Sequence, residues 1–293
     1  MRRETYLIKV LTPLHVGAGQ GLSHIDLPIV REVHTGFPFV PGSAIKGCLR
    51  EYQIKKLAEK ISPPELDKAL QEGKKPQNIT EEEFERLVKI FGTAGEAVEN
   101  GTGGAGKVFF TDAKILFFPV KSLKGIFQLI TCPYVINRYL EDIGENLRFD
   151  RNLSESEALV YSIKDSSVEG KILLEEFVFE AKEYEEFKRV INLLPLEDYQ
   201  KNRVVCINDS IFSDMVQTYT EVQTHIKIDP KTGTASGGAL WIEEYLPAES
   251  VLYFSLFFEE KVDFEVHEDV LHLGGDVTTG KGYVKIRRVE NEK

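Results

Sequence analysis

Residues 15–50 read HVGAGQGLSHIDLPIVREVHTGFPFVPGSAIKGCLR. A glycine-rich loop (Gly17, Gly19, Gly21) runs into the acid Asp26. Gly/Pro turns follow at 36–38 and 41–42, and Ser43 then opens a helix carrying Lys46 and Arg50. Glycines let a backbone come close to a ligand, and a helix start offers unpaired N–H groups to an anion. Lys46 and Arg50 are four apart, so they share one helical face just behind that start. The apolar stripe of the same helix, Ile45, Cys48, Leu49 and Tyr52, leaves both cations outside the packing surface. The stretch thus joins an anion cradle to a carboxylate held on a loop. Its plainer reading is a tight connection, a helix cap and two solvated cations.

Outward from this stretch, strand and helix signals mix along the chain. Residues 5–11 are apolar and β-branched enough for a buried strand, and the first helix runs over about 43–60. Two short helices follow. One starts at Ser62-Pro63-Pro64-Glu65, and the other is capped by Thr80 with Glu83 and stopped by Gly92. Six glycines in 92–107 read as a linker loop. Strands are expected at 108–118 and 126–131, and Pro133 begins a helix that turns Val135, Ile136, Tyr139, Leu140 and Ile143 inward. Arg138 on that helix faces either a ligand or solvent. Strand patterns at 158–163, 171–180 and 203–207 accompany an acidic helix at 183–194, and Asn208-Asp209-Ser210 announces a helix over 211–217.

Two runs, 218–228 and 234–245, flank Asp229-Pro230-Lys231-Thr232-Gly233, turn chemistry between strand-capable arms. The arms are polar, so the hairpin protrudes and needs a partner to lean on. Its second arm ends in Trp241, the only tryptophan, followed by Glu243, Glu244 and Tyr245. A buried strand at 251–258, a helix near 262–272 and a strand at 283–289 close the chain. Between the last two, Gly275–Gly282 reads GDVTTGKG, but glycine stands where a P-loop needs Ser or Thr after its lysine. What survives is a glycine loop with Lys281, able to hold a phosphodiester through backbone N–H groups.

The 293 residues carry 36 basic and 47 acidic side chains, a net charge of −11, which by itself argues against nucleic-acid binding. The distribution qualifies this: 277–288 holds Lys281, Lys285, Arg287 and Arg288 without an acid. Three scattered cysteines exclude a disulfide framework or a Cys₄ zinc site. His267 and His272 are five apart, not the four of a zinc helix. No apolar run reaches the roughly 18 residues of a membrane span. No signal-peptide pattern opens the chain, so a cytoplasmic protein is expected.

Three features together carry a resemblance: HVGAG after the first strand, GSAIKGCLR on the first helix, and GGDVTTGKG near the end. They resemble the RAMP superfamily of CRISPR proteins. Ile25-Asp26-Leu27-Pro28, His34-Thr35-Gly36-Phe37-Pro38 and the run from Thr220 through the hairpin to Pro247 are similar to the backbone subunit of type III-B (Cmr) effector complexes. The resemblance is weakest over 60–105 and 144–200. It implies an α+β fold, a modified ferredoxin-like (RRM-type) palm (1–59, 106–217 and 246–293) with a helical insertion (about 60–105) and a protruding thumb β-hairpin (about 218–245).

It also implies partners: CRISPR RNA, a single-stranded target RNA, further copies in a filament and other Cmr subunits, with no membrane. Target RNA would be cut at regular intervals with a divalent metal ion, magnesium or manganese. The catalytic aspartate falls on Asp26, which would also hold the metal, with His15, Glu243 and Tyr245 beside the cut. Ser43, Lys46, Arg50, Gly274, Gly275 and Lys281 fall on RNA contacts. A scaffold that holds guide RNA without cutting is the alternative within the family. A ferredoxin-like enzyme acting on a phosphorylated small molecule is the alternative outside it.

Overall fold

The computed structural model describes residues 1–21, 24–93, 104–194, 196–233, 235–259, 261, 262, 264, 266 and 270–289. Strand β1 (Arg2–Val10) is buried along most of its length. A short β2 (Phe39–Val40) leads into helix α1 (Gly42–Lys55), which buries Ile45, Leu49 and Ile54. Next come α2 (Pro63–Glu72), with Gly73 left-handed at its C-terminus, and α3 (Glu81–Phe91). The Thr80/Glu83 capping box is present: Glu83 N–H donates to the Thr80 hydroxyl (3.2 Å) and Thr80 N–H to the Glu83 carboxylate (2.9 Å).

The middle of the chain contributes β3 (Val108–Phe110), β4 (Ala113–Ser122), β5 (Ile126–Thr131) and α4 (Pro133–Ile143), whose expected apolar stripe is buried at every position. Then follow β6 (Glu157–Val160), α5 (Ile163–Ser166), β7 (Lys171–Leu174), β8 (Phe177–Glu183), α6 (Glu185–Asn192), α7 (Asp198–Lys201) and β9 (Val204–Cys206). Helix α8 (Asp209–Thr218) is capped by the Asn208 side chain and delivers the chain to β10 (Glu221–Ile228) and β11 (Ala235–Tyr245). The chain then returns through β12 (Val251–Phe258), β13 (Val270–His272) and β14 (Tyr283–Arg288).

Four strands lie in the order β14-β1-β12-β4, each antiparallel to its neighbours. From β4 the sheet continues through β5, β9, β6, β8 and β7, and Ser122 of β4 pairs with Leu174 of β7. Six strands thereby form a closed ring that shares β4 with the first sheet. The β10–β11 hairpin is a separate two-stranded sheet. The fold is mixed α+β, as expected.

Several expected boundaries move. Helix α1 ends at Lys55 rather than Lys60, and turns fill 56–60. The strand expected over 108–118 breaks at Thr111 and Asp112, where Asp112 turns its carboxylate to the Gly42 N–H (2.7 Å). The strand expected over 171–180 is two strands, split at Glu175 with φ of +50°. The helix expected near 262–272 is contradicted at its end, because Val270–His272 pairs with β14 as a strand. Residues 263, 265 and 267–269 of that stretch, and 94–103 of the glycine loop, lie outside the described residues.

Candidate functional site

The loop after β1 doubles back on itself. Ala18 N–H donates to Pro28 O and Val30 N–H to Val16 O, each at 2.9 Å, so that the tip carries Asp26. The returning limb lies against β11. Asp26 and Leu27 both donate N–H to Ile242 O (3.1 Å), Glu244 N–H donates to Leu27 O (3.0 Å), and Leu27 bridges Glu243 in parallel sense. Ile242 N–H donates to Asp26 Oδ2 at 2.8 Å, and the Asp26 side chain is exposed. The acid is thus an added edge of the hairpin, with one carboxylate oxygen oriented by a backbone N–H.

Alternate residues of β11 face opposite ways, and the two glutamates at its base take different partners. Glu244, 3% exposed, accepts from Arg31 (2.5 Å), the Thr220 hydroxyl (2.8 Å) and Ile29 N–H (3.0 Å). Arg31 also donates to Gly36 O and Val216 O. One carboxylate therefore ties the Asp26 loop, the start of the hairpin and the end of α8 together.

Glu243 and Tyr245 are both buried on the other face. The Tyr245 hydroxyl donates to Glu243 Oε2 (2.6 Å) and lies 3.1 Å from His225 Nε2 and 3.4 Å from Asp276 Oδ2. Burial first, then the Glu243 hydrogen bond, push the Tyr245 phenol well above its ordinary value. The group is a fixed hydrogen-bond donor, not a base. Lys281 Nζ stands 4.7 Å over the Tyr245 ring.

His15 packs edge-on to Tyr245 with centroids 5.6 Å apart. Its Nδ1 lies 2.7 Å from Glu244 O. A carbonyl only accepts, so Nδ1 carries a hydrogen. Gly275 N–H donates to His15 O, and a Cβ on Gly274 (φ +80°) would lie 2.2 Å from that same oxygen. The closing loop can approach His15 this closely only with glycine there.

The expected RNA-contact residues divide between two places. Gly274, Gly275 and Lys281 join His15, Glu243 and Tyr245 at the hairpin base. Ser43 and Lys46 instead line a groove with Phe91, Gly92, Thr93 and Gly104–Gly106. Burial, then the neighbouring Arg50, lowers the Lys46 ammonium below its ordinary value. Among the described residues no carboxylate pairs with it. Arg50 borders the same groove but is bound to Asp67 of α2. The helix start is partly occupied too, by the Asp112 carboxylate on Gly42. The basic run 281–288 does not line one groove, since Arg287 pairs with Glu197 (3.7 Å) and Arg288 with Glu4 (3.1 Å). Arg138, expected to face a ligand or solvent, is held by both oxygens of Glu32, at 2.8 and 2.9 Å.

Among the described residues no three of His, Cys, Asp or Glu converge as metal ligands. Asp26 offers one exposed carboxylate. That fits an ion taking most of its oxygens from phosphate and water, as magnesium commonly does, and not a protein-built cage. No helix among the described residues is long and apolar enough to cross a membrane.

Sequence reasoning did not single out His225 or Asp276. His225 lies opposite Trp241 in the hairpin register, and Asp276 arrives from a loop 31 residues beyond Tyr245 in the chain. Counting back from the turn could have paired His225 with Trp241; nothing local could have placed Asp276.

Residues 7–285 match the family described as the RAMP superfamily. The chain is 32% identical to the CRISPR system Cmr endoribonuclease Cmr4 of Pyrococcus furiosus, over 97% of this chain and 95% of that protein. It is 24% identical to the CMR subunit Cmr4 of Saccharolobus solfataricus, over 96% and 95%. The crystal structure of oligomeric Cmr4 from Pyrococcus furiosus superposes with a TM-score of 0.67 at 27% identity, covering 99% of both chains.

Proposed function

Because this chain belongs to the RAMP superfamily, we propose that it is the repeating backbone subunit of a type III-B CRISPR ribonucleoprotein, which binds CRISPR RNA and cleaves the complementary target RNA at regular intervals. The Pyrococcus relative, named an endoribonuclease, supports the activity. The oligomeric form of the similar crystal structure supports assembly of copies with one another, and such a stack would stand beside other Cmr subunits. Such a complex works in the cytoplasm. The antiparallel order β14-β1-β12-β4, with α1 crossing from β1 to β4, supports a ferredoxin-like (RRM-type) palm. The helices of 60–105 are then an insertion and β10–β11 the thumb.

The observation that carries the reading is the exposed Asp26 carboxylate, oriented by Ile242 N–H on the hairpin itself. A hairpin that distorts the paired target turns a 2′-hydroxyl in line with its own phosphate. Asp26 accepts the hydroxyl proton, the 2′-oxygen attacks phosphorus, and the 5′-oxygen leaves with a proton. The products are a 2′,3′-cyclic phosphate and a 5′-hydroxyl. His15, in its protonated form, is the donor for the leaving oxygen through Nε2. Asp26 would also be the residue to hold a divalent cation, which would supply charge neutralisation for the reacting phosphate. Glu243 and Tyr245, being buried, contribute by fixing the hairpin base. Ser43, Lys46 and Arg50 at α1, and Gly274, Gly275 and Lys281 at the closing loop, contact RNA backbone.

The test is reconstitution with guide RNA and an Asp26→Asn subunit. We expect target cleavage to fall about a hundredfold or more while target binding is retained. Unchanged cleavage would refute the assignment.

A further inference from the structure

The tryptophan of this chain is placed unusually. Trp241 lies on β11 but belongs neither to the buried core nor to the partly buried side chains packed against it. Its stacking partner is an imidazole: the His225 and Trp241 rings lie 14° from parallel with centroids 5.4 Å apart. The imidazole is itself pinned. His225 Nε2 is 3.2 Å from Glu243 Oε2 and 3.1 Å from the Tyr245 hydroxyl, and the tyrosine proton is already given to Glu243. Nε2 must therefore carry a hydrogen directed at both oxygens, which fixes the plane of the ring.

An indole half-buried on a two-stranded arm, braced by a ring with a fixed plane, is a prepared flat surface. Trp241 also precedes Ile242, whose N–H orients the Asp26 carboxylate. Flat aromatic surfaces next to a phosphate-directed acid suit an unstacked nucleobase, because every base has a π-face and stacking is sequence-tolerant.

We propose that Trp241, braced by His225, is a stacking platform for one unpaired base of the RNA strand beside the phosphodiester that Asp26 addresses. The inference rests on the cleavage reading above and names a contact for it. Glu243 and Tyr245 then serve as positioning residues, acting through His225 on the platform and through the strand on the acid. The ligand is a nucleobase, whatever its sequence, so pyrimidine and purine targets are held alike.

The experiment uses the assembled complex carrying Asp26→Asn, so that bound target stays intact. A series of targets, each with one abasic nucleotide, is titrated against subunits with and without Trp241→Ala. On intact target Trp241→Ala should weaken binding about tenfold, the order expected of one base–aromatic stack. One abasic position, next to the cut bond, should weaken binding to Trp241 complexes by the same factor. It should cost Trp241→Ala complexes nothing further. Trp241→Phe should retain most of the affinity. Equal losses from Trp241→Ala on every abasic target would overturn the platform and leave a brace only. Abasic targets and Trp241→Phe leave the hairpin's fold intact, so misfolding of the alanine variant cannot decide the result. If subunits with native Asp26 cut at regular intervals but the coupling is absent, this inference falls alone. If cutting does not depend on Asp26, the cleavage reading falls instead.

Discussion

At Glu244, three donors from two segments meet one carboxylate that is 3% exposed. Removing one partner of such a pair leaves the other charge desolvated, at a cost of about 3 kcal/mol. We expect Glu244→Ala to lower stability by about that much in denaturant unfolding, and to reduce target cleavage more than guide binding, since the loop it ties carries Asp26. Glu244→Gln, which keeps an acceptor, should lose less. Lys46 differs in kind, being half-buried with no acid against it among the described residues and an ammonium pushed downward by burial. Lys46→Ala should weaken guide binding across sequences and reduce the salt slope by about one. An unchanged slope would remove it from the backbone contacts. The same environment argument covers Cys48. Burial, with Glu51 nearby, raises its thiol to about 12. At pH 8 it should react with iodoacetamide far more slowly than an exposed thiol.

At the scale of elements, α3 shows how local chemistry was readable. Thr80 and Glu83 are three apart and cap the helix as expected, and Lys60 adds an ion pair to Glu83 at 2.5 Å. That contact first, then the Thr80 backbone N–H, lowers the Glu83 carboxyl from 4.5 to about 2. A depressed carboxyl contributes stability that is present above the unfolded value and lost as pH falls through the folded one. The unfolding midpoint of the wild type should therefore drop relative to Glu83→Gln between about pH 4.5 and 2. A constant difference over that range would mean that the cap is not ionic. Helix α4 was equally legible, because its stripe repeats at helical spacing and Pro133 marks its start. The stretch before β13 was misread. Its buried side chains, Val262, Phe264 and Val266, come two apart, which is the period of extended chain.

For the molecule as a whole, β4 belongs to both the four-strand sheet and the closed ring. Neither half can lose β4 and keep its hydrogen bonds. We expect one cooperative unfolding transition by far-ultraviolet circular dichroism; two separated transitions would show that the halves are independent. The sharing of β4 was not legible, because it depends on pairing Ser122 with Leu174 and Val251 with Phe117 across long stretches of chain. The candidate site was half legible for the same reason. Asp26 stood out as an acid after a glycine loop, and the hairpin by its turn. That the two share hydrogen bonds, and that Lys46 lies in another groove, are facts of tertiary register. The acidic net charge of −11 is a property of the whole chain.

The parallel bridge between Leu27 and Glu243 has a mechanical effect. A cutting group mounted on the palm would stay put when the arm flexes, and the break would drift relative to the disturbed nucleotide. On the cleavage reading proposed above, Asp26 is fastened to the arm through this bridge. If the spacing between successive subunits along the guide stretches or tightens, arm and Asp26 shift by the same amount. On that reading each break would keep its phase with the arm rather than with the groove at α1.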